Sequence, residues 1–267
     1  MTQESDRRLA LVTGASSGIG LELARQFALN DFDLMIAAEN FAIFDAAREL
    51  ERYGTSVEAV QVDLSTPAGV DELYARIELT GRPLAAAALH AGIGVFGAFA
   101  TDTRLETELQ MIDLNVRSTV HLAKRVASDM VRRGDGRLLF TSSNSATGPG
   151  PYQAVYAASR AFVQSFALAL REELKATGVT VTTLMPGPTD TPMFERANTP
   201  SDHLQKDDPA AVARAGFEGL VNGDGMVVTS PPSTRLRSRI ARRLPRSVAA
   251  ALRRLIVRTN ERIRPYT

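Results

Sequence analysis

The sequence predicts an α/β fold: a doubly wound parallel sheet of about seven strands with helices on both faces. Three observations carry this. Short apolar runs of strand type alternate with helical stretches along most of the chain. Those runs are apolar on consecutive residues, as in strands covered on both faces, not on alternate ones. Glycines cluster where the first run meets the first helix. The 267 residues, 44% of them hydrophobic, suffice for one large α/β domain or two small ones.

The elements follow in order. LALVTG (Leu9 to Gly14) reads as a buried strand running into glycines. LELARQFALN places Leu21, Ala24, Phe27 and Ala28 on one helical stripe. DLMIAA (Asp33 to Ala38) is the second strand, and FAIFDAARELERYG a helix closed by Gly54. VEAVQVDL is the third strand, followed by a helix, AGVDELYARIELTG, ending at Gly81. PLAAAALHAG, rich in alanine, is the fourth strand. A long helix is expected from about Leu105 to Arg133, and GRLLFTSS as the fifth strand. A Gly/Pro loop (Gly148 to Pro151) leads to a helix from about Val155 to Thr177 and then to the strand VTVTTLMP. From Pro186 to Asp208 the period is lost and Pro, Thr and Asp accumulate, which reads as a lid over about 187–208. DPAAVARAGFEGLVNG is a short helix and GMVVTS an edge strand. Residues 1–230 are expected to form one domain and 231–267 a basic helical tail.

Composition narrows the chemistry. There is no cysteine, which excludes disulfides and thiolate metal sites. His90, His121 and His203 show no metal-ligand spacing, and no metal is expected. The N-terminus, MTQESDRRLALV, is polar before its first apolar run, unlike a signal peptide. No apolar run approaches the ~20 residues of a membrane span. A soluble, cytoplasmic protein is the expectation. The net charge of +1 hides an asymmetry: residues 231–267 hold 11 Arg and one acid (Glu261), leaving 20 bases and 29 acids on the rest.

The stretch TGASSGIG (Thr13 to Gly20) stands where strand meets helix. Gly14 permits the tight turn, Gly18 lets backbone approach a pyrophosphate, and Gly20 allows close helix–strand packing. The helix N-terminus then offers N–H groups and a positive dipole to phosphates. The spacing is T-G-x-x-x-G-x-G. Further motifs follow in order: Asp63 in VDL, HAG (His90 to Gly92), Asn115 in LNV, Ser143 in TSSNSA, Tyr156 and Arg160 in YAASR, and PGPTDT (Pro186 to Thr191). Together these resemble the short-chain dehydrogenase/reductase family over about Leu9 to Val228.

That resemblance implies a Rossmann-type sheet, a nicotinamide dinucleotide, and hydride transfer to or from an alcohol/carbonyl substrate. It implies cofactor contacts from Gly14, Ser16, Ser17, Gly18, Ile19 and Gly20, and from Glu39, Asp63, Leu64, Ala91 and Gly92. Tyr156, Arg160, Pro186, Gly187, Thr189 and Thr191 complete the set. Members that prefer NADP place a base in the glycine turn or just after the second strand. Here those positions hold Ser17, Ala38 and Glu39. Glu39 would repel a 2′-phosphate and accept from a ribose hydroxyl, so NAD(H) is favoured within NAD(P)(H). A base such as Arg52 remains a route to NADP.

The catalytic set implied is Asn115, Ser143, Tyr156 and Arg160. Tyr156 would be the acid in reduction and the base in oxidation. A free phenol titrates near pH 10, and a fixed cation one helical turn away favours phenolate. Ser143 would donate to the substrate oxygen. Asn115 would shape its helix and hold a water in the proton path. The family has lysine where this chain has Arg160. Arginine keeps the charge but does not readily release a proton, so reduced redox activity is expected. His90 replaces the family asparagine that braces the fourth strand, and bracing is its expected role. Two alternatives stay open: a catalytically silent dinucleotide-binding protein, and a non-redox lyase or epimerase on the same fold.

Val95, Phe96, Phe99, Met193, Phe194 and Leu204 would line an apolar mouth, suited to a neutral or hydrophobic carbonyl or alcohol. The resemblance also implies a homodimer or homotetramer paired through the two long helices, around Asn115 and Ser159. In the tail, Leu236, Ile240 and Leu244 form one stripe, and Val248, Leu252, Leu255, Ile256, Thr259 and Ile263 a second. Such a basic amphipathic segment suits packing on the acidic body or across an oligomer, or peripheral contact with an anionic membrane surface. Nucleic acid is not expected.

Overall fold

A computed structural model of the chain describes residues 7–196 and 205–229. The basic segment 231–267, His203, Leu204 and the side chain of Phe194 lie outside the described residues. Seven strands form one sheet: β1 (Arg8–Thr13), β2 (Phe32–Ala38), β3 (Val57–Gln61), β4 (Leu84–Leu89), β5 (Gly136–Thr141), β6 (Val179–Pro186) and β7 (Met226–Thr229). Their order is β3-β2-β1-β4-β5-β6-β7, and every pairing is parallel. The chain steps outward from β1 to β3, then returns to lay β4 against the other side of β1. The strand order therefore reverses between β1 and β4, the place where a crevice opens at the carboxyl ends of such sheets.

The apolar runs of the inner strands are continuous because each of these strands feeds two cores. Leu9 and Leu11 of β1, with Ala87 and Leu89 of β4, face one layer. That layer is made by α3 (Pro67–Leu79), α5 (Ser118–Arg133) and α6 (Ala154–Glu173). Ala10 and Val12, with Ala86 and Ala88, face the other. There α1 (Gly18–Leu29), α2 (Ala42–Glu51) and α8 (Pro209–Asn222) pack. Ala86, Ala87 and Ala88 of β4 are fully buried at the sheet centre, where little depth remains between the two helix layers. Phe27, Phe32 and Phe217 meet edge to face, with centroids 5.1–6.5 Å apart, and lock α1 to α8.

Two helices differ from expectation. The stretch from Leu105 to Arg133 is helical throughout but contains a π turn. It runs as α4 (Leu105–Ile112), the π turn Asp113–Arg117, then α5. The helix starting near Val155 stops at Glu173, short of Thr177. Gly178 then takes φ +78, and a Cβ there would stand 2.0 Å from the Gly134 carbonyl oxygen. The lid's ends are tied down: Asp190 N–H donates to Asp207 O (3.0 Å) and Asp207 N–H to Pro188 O (2.7 Å). Between them lies α7 (Met193–Arg196), then residues that are not described.

Candidate active site

The carboxyl ends of β1, β4 and β5 meet beneath the glycine turn. Thr13 closes β1, and its Oγ1 accepts the N–H groups of His90 and Ala91, both at 3.0 Å. This bond pair fixes the turn after β4 against the turn after β1. Gly14 (φ +71) and Gly18 (φ +56) adopt left-handed backbone that other residues resist. A Cβ on Gly18 would stand 2.9 Å from Thr191 Cγ2, so this glycine admits the lid as well as leaving room for a ligand. A Cβ on Gly20 would stand 2.1 Å from the Gly14 carbonyl oxygen. Replacing Gly20 with alanine is expected to cost about 3 kcal/mol, the upper range for overpacking a fixed backbone contact. Thermal unfolding should show it as a fall of roughly 6–12 °C; an unchanged melting point would contradict the contact.

A cleft runs from the glycine turn to the helix that carries Tyr156. Gly14, Ser16, Ser17, Gly18, Ile19, Glu39, Asp63, Leu64, Ala91, Gly92, Tyr156, Arg160, Pro186, Gly187, Thr189 and Thr191 all line it. Gly20 is not among the lining residues: it is buried against the turn. The start of α1 opens on the cleft with no acid in its first turn and no side-chain cap from Ser17. The first N–H groups of a helix have no partner within the helix, so this end could receive an anion. Asp63 holds its own turn by accepting from Ser65 N–H at 2.8 Å.

Of the four catalytic candidates, Tyr156 and Arg160 share the cleft. Both are buried, 6% and 5% exposed. The Tyr156 ring has the Arg160 guanidinium 5.4 Å from its centroid, and the Phe96 ring also at 5.4 Å, tilted 47°. A Cβ on Gly94 would press the Phe96 ring at 2.9 Å, so Gly94 seats Phe96 there. Asn115 and Ser143 are not among the lining residues. Asn115 is fully buried in the π turn, and its amide is spent on bracing. Nδ2 donates to Ile93 O (3.0 Å) and Ser159 Oγ (3.1 Å), while Oδ1 accepts Ile93 N–H (3.0 Å). It thereby ties the loop after β4 to α6. Ser143 lies one residue past the lining Ser142, and its Oγ accepts Ser145 N–H (3.1 Å) at the head of a short 3₁₀ turn, Asn144–Thr147.

His90 lines the cleft with Nδ1 on Thr141 Oγ1 at 3.0 Å. Burial, and secondly the charge of Arg160, push its pKa down to about 3, so the ring is neutral. Asn40, Thr141 and Ser142 also line the cleft and were not anticipated. Asn40 adjoins Glu39, and Thr141 and Ser142 precede Ser143, so adjacency to a motif was the available signal. Of the apolar mouth, Met193 lines the cleft and Phe96 packs on Tyr156, whereas Phe99 is 57% exposed. Among the described residues, no group of three or more His, Asp or Glu is placed to hold a metal, and no helix is long and apolar enough to cross a membrane.

A parallel sheet with a glycine turn at its switch point, and a buried Tyr–Arg pair facing the same cleft, defines a dinucleotide-binding oxidoreductase scaffold. The chain belongs to the short-chain dehydrogenase family, whose sequence profile matches residues 8–202. It is 34% identical over 196 residues to 1-deoxy-11-beta-hydroxypentalenate dehydrogenase of Streptomyces exfoliatus, covering 72% of this chain and 71% of that one. It is 33% identical over 190 residues to an uncharacterised short-chain type dehydrogenase/reductase of Sinorhizobium fredii, covering 71% and 73%. Among solved structures it is similar to a short-chain dehydrogenase from Sphingobium yanoikuyae in complex with NADPH, with TM-score 0.79, 28% identity, and coverage of 88% and 93%. The chain is an oxidoreductase of the kind that acts on alcohol/carbonyl substrates, and the silent-binder and lyase or epimerase alternatives are not favoured.

Proposed function

We propose that this protein is an NAD(P)(H)-dependent dehydrogenase/reductase that interconverts an alcohol and a carbonyl, with Tyr156 as proton donor and acceptor. One observation carries the reading: the buried Tyr156–Arg160 pair stands in the cleft that the glycine turn opens. The dinucleotide, when bound, supplies the hydride to the carbonyl carbon or takes it from the alcohol. Gly14, Gly18 and the first turn of α1 would hold its phosphates, and Asp63 and Leu64 its adenine end. In reduction Tyr156 passes its phenolic proton to the substrate oxygen while Ser143 donates a second hydrogen bond. In oxidation Tyr156 takes the hydroxyl proton. Asn115 holds the loop and helix on which these groups depend. Turnover is tested with a panel of neutral ketones and alcohols, followed by loss or gain of reduced nicotinamide. No turnover of any member with either nucleotide would count against the reading.

Arg160 supplies fixed charge and hydrogen-bond donors but no ready proton relay. Turnover at saturating nucleotide is therefore proposed to be lower than a lysine would give. Arg160→Lys should raise it; a fall would sink the idea that arginine is a handicap.

NAD(H) is the proposed partner within that class. Glu39 lines the cleft and Arg52, the C-cap of α2, does not. A like-charge contact near 4 Å costs roughly 1 kcal/mol in water. Glu39→Gln should thus improve NADPH affinity about fivefold relative to NADH. An unchanged ratio would show that Glu39 does not set the preference.

The substrate is proposed to be neutral or hydrophobic, because Ile93, Pro192 and Met193 line the same cleft as Tyr156. A homodimer or homotetramer is proposed through the outer faces of α4–α6, where Leu105, Leu109, Ile112, Val120 and Phe162 are exposed. Asn115 and Ser159 themselves are buried within the protomer. Residues 1–230 are proposed as the catalytic domain of a cytoplasmic protein, with segment 231–267 packing on it or contacting an anionic membrane surface. Sedimentation with anionic liposomes, with and without that segment, separates these two uses.

A further inference from the structure

Two residues of the cleft wall depart from the family pattern, and one residue joins them. Thr141 ends β5; its Oγ1 meets His90 Nδ1 at 3.0 Å, and its carbonyl accepts Arg160 Nη1 at 2.9 Å. The His90 ring is fixed from the β1 side. Its backbone N–H is held on Thr13 Oγ1, and its Cδ2 lies 2.9 Å from where a Gly20 Cβ would stand. The guanidinium is fixed from the α6 side. Nη2 sits 2.2 Å from where a Gly92 Cβ would stand, and the group lies against the Tyr156 ring. Arg160 is buried, and no carboxylate among the described residues forms an ion pair with it. Its Nε has no hydrogen-bond partner. The Thr141 carbonyl is therefore the main polar anchor of this cation; Thr141 stands in register with Leu184 of β6, and His90 adds the restraint on its hydroxyl.

We propose that His90 is a positioning residue for Arg160. Acting through Thr141, it sets where the guanidinium stands in the cleft wall and how tightly the nicotinamide dinucleotide is held. The two departures form a matched pair. A neutral imidazole reaches across from β4 to β5 and tolerates a permanent cation nearby. An asparagine is shorter and would leave the Thr141 hydroxyl or pull β5 toward β4. A lysine ends in a single ammonium on a flexible stem, not a planar fork, and would not use the same carbonyl with the same geometry. Changing either member alone strands the other; changing both removes a link already broken.

This inference rests on the dinucleotide reading above, and two measurements keep them apart. The first is NADH affinity, followed by reduced-nicotinamide fluorescence, for native protein, His90→Asn, Arg160→Lys and the double variant. Each single change should weaken binding about tenfold, and the double should be within about twofold of the weaker single. Thr141→Val, which keeps the carbonyl and loses the hydroxyl, should match His90→Asn and add nothing to it. Losses that multiply to about 100-fold, or a single change without effect, would overturn the proposal. The second needs no nucleotide: exchange of the Arg160 guanidinium protons by NMR. It should quicken at least tenfold in His90→Asn and in Thr141→Val. An unchanged exchange rate would overturn the pairing whatever the protein binds.

Discussion

Tyr156→Phe is expected to lower turnover by about 100- to 10,000-fold, the range that a positioned proton donor contributes. Nucleotide affinity should stay within about twofold and the melting temperature within a few degrees. The ring is held by contacts that phenylalanine keeps: the Phe96 ring on one part of it and the Arg160 guanidinium on another. Only the hydroxyl is lost, so the change isolates proton transfer from packing. Steady-state rates at saturating nucleotide, with a parallel binding titration, check it. A variant that keeps most of its turnover would remove Tyr156 as the acid. A variant that loses binding in proportion would mean that the hydroxyl holds ligand instead.

The second large effect concerns stability in acid. Held neutral in the folded chain, His90 takes a proton only near pH 3, while in the unfolded chain it takes one near the ordinary value of 6.5. Between these values the unfolded state binds the extra proton. Stability from this group is therefore complete above about pH 6.5 and is lost as pH falls toward 3. At about 1.36 kcal/mol per pH unit, the loss reaches on the order of 4 kcal/mol at the lower end. Urea unfolding of native protein and His90→Asn across this window measures it. The native chain should lose about 3 kcal/mol more than the variant between pH 6.5 and 4. Parallel profiles would mean that His90 is protonated in the folded state.

Much of the architecture was legible because strand and helix periods are strong here. Every strand fell where an apolar run announced it, including the alanine-rich β4, whose small residues are what two covering helix layers allow. The glycine turn was readable for the same reason: a left-handed Gly14 and a Gly20 against backbone leave little choice of residue. The π turn was not readable, since one extra residue in a helical turn hardly disturbs the apolar period. It is nonetheless what carries Asn115 into contact with both Ile93 and Ser159. Nor was Thr141 readable as a hub, because a threonine at a strand end is common and its two bonds run to residues 51 positions before and 19 after it. Motif spacing marks Ser143, thirteen residues before Tyr156, but it gives no sign of Ser142 beside it, a residue that lines the cleft. Ser142 donates to the Arg160 carbonyl at 2.7 Å, which also ties the end of β5 to the helix of the reacting groups.

The central claim is that the cleft between the glycine turn and Tyr156 binds a nicotinamide dinucleotide. Titration of the purified full-length protein with NADH and NADPH separately, followed by reduced-nicotinamide fluorescence, tests it most directly. Saturable one-to-one binding, tighter for NADH than for NADPH, is the predicted result. Failure to bind either nucleotide would contradict it.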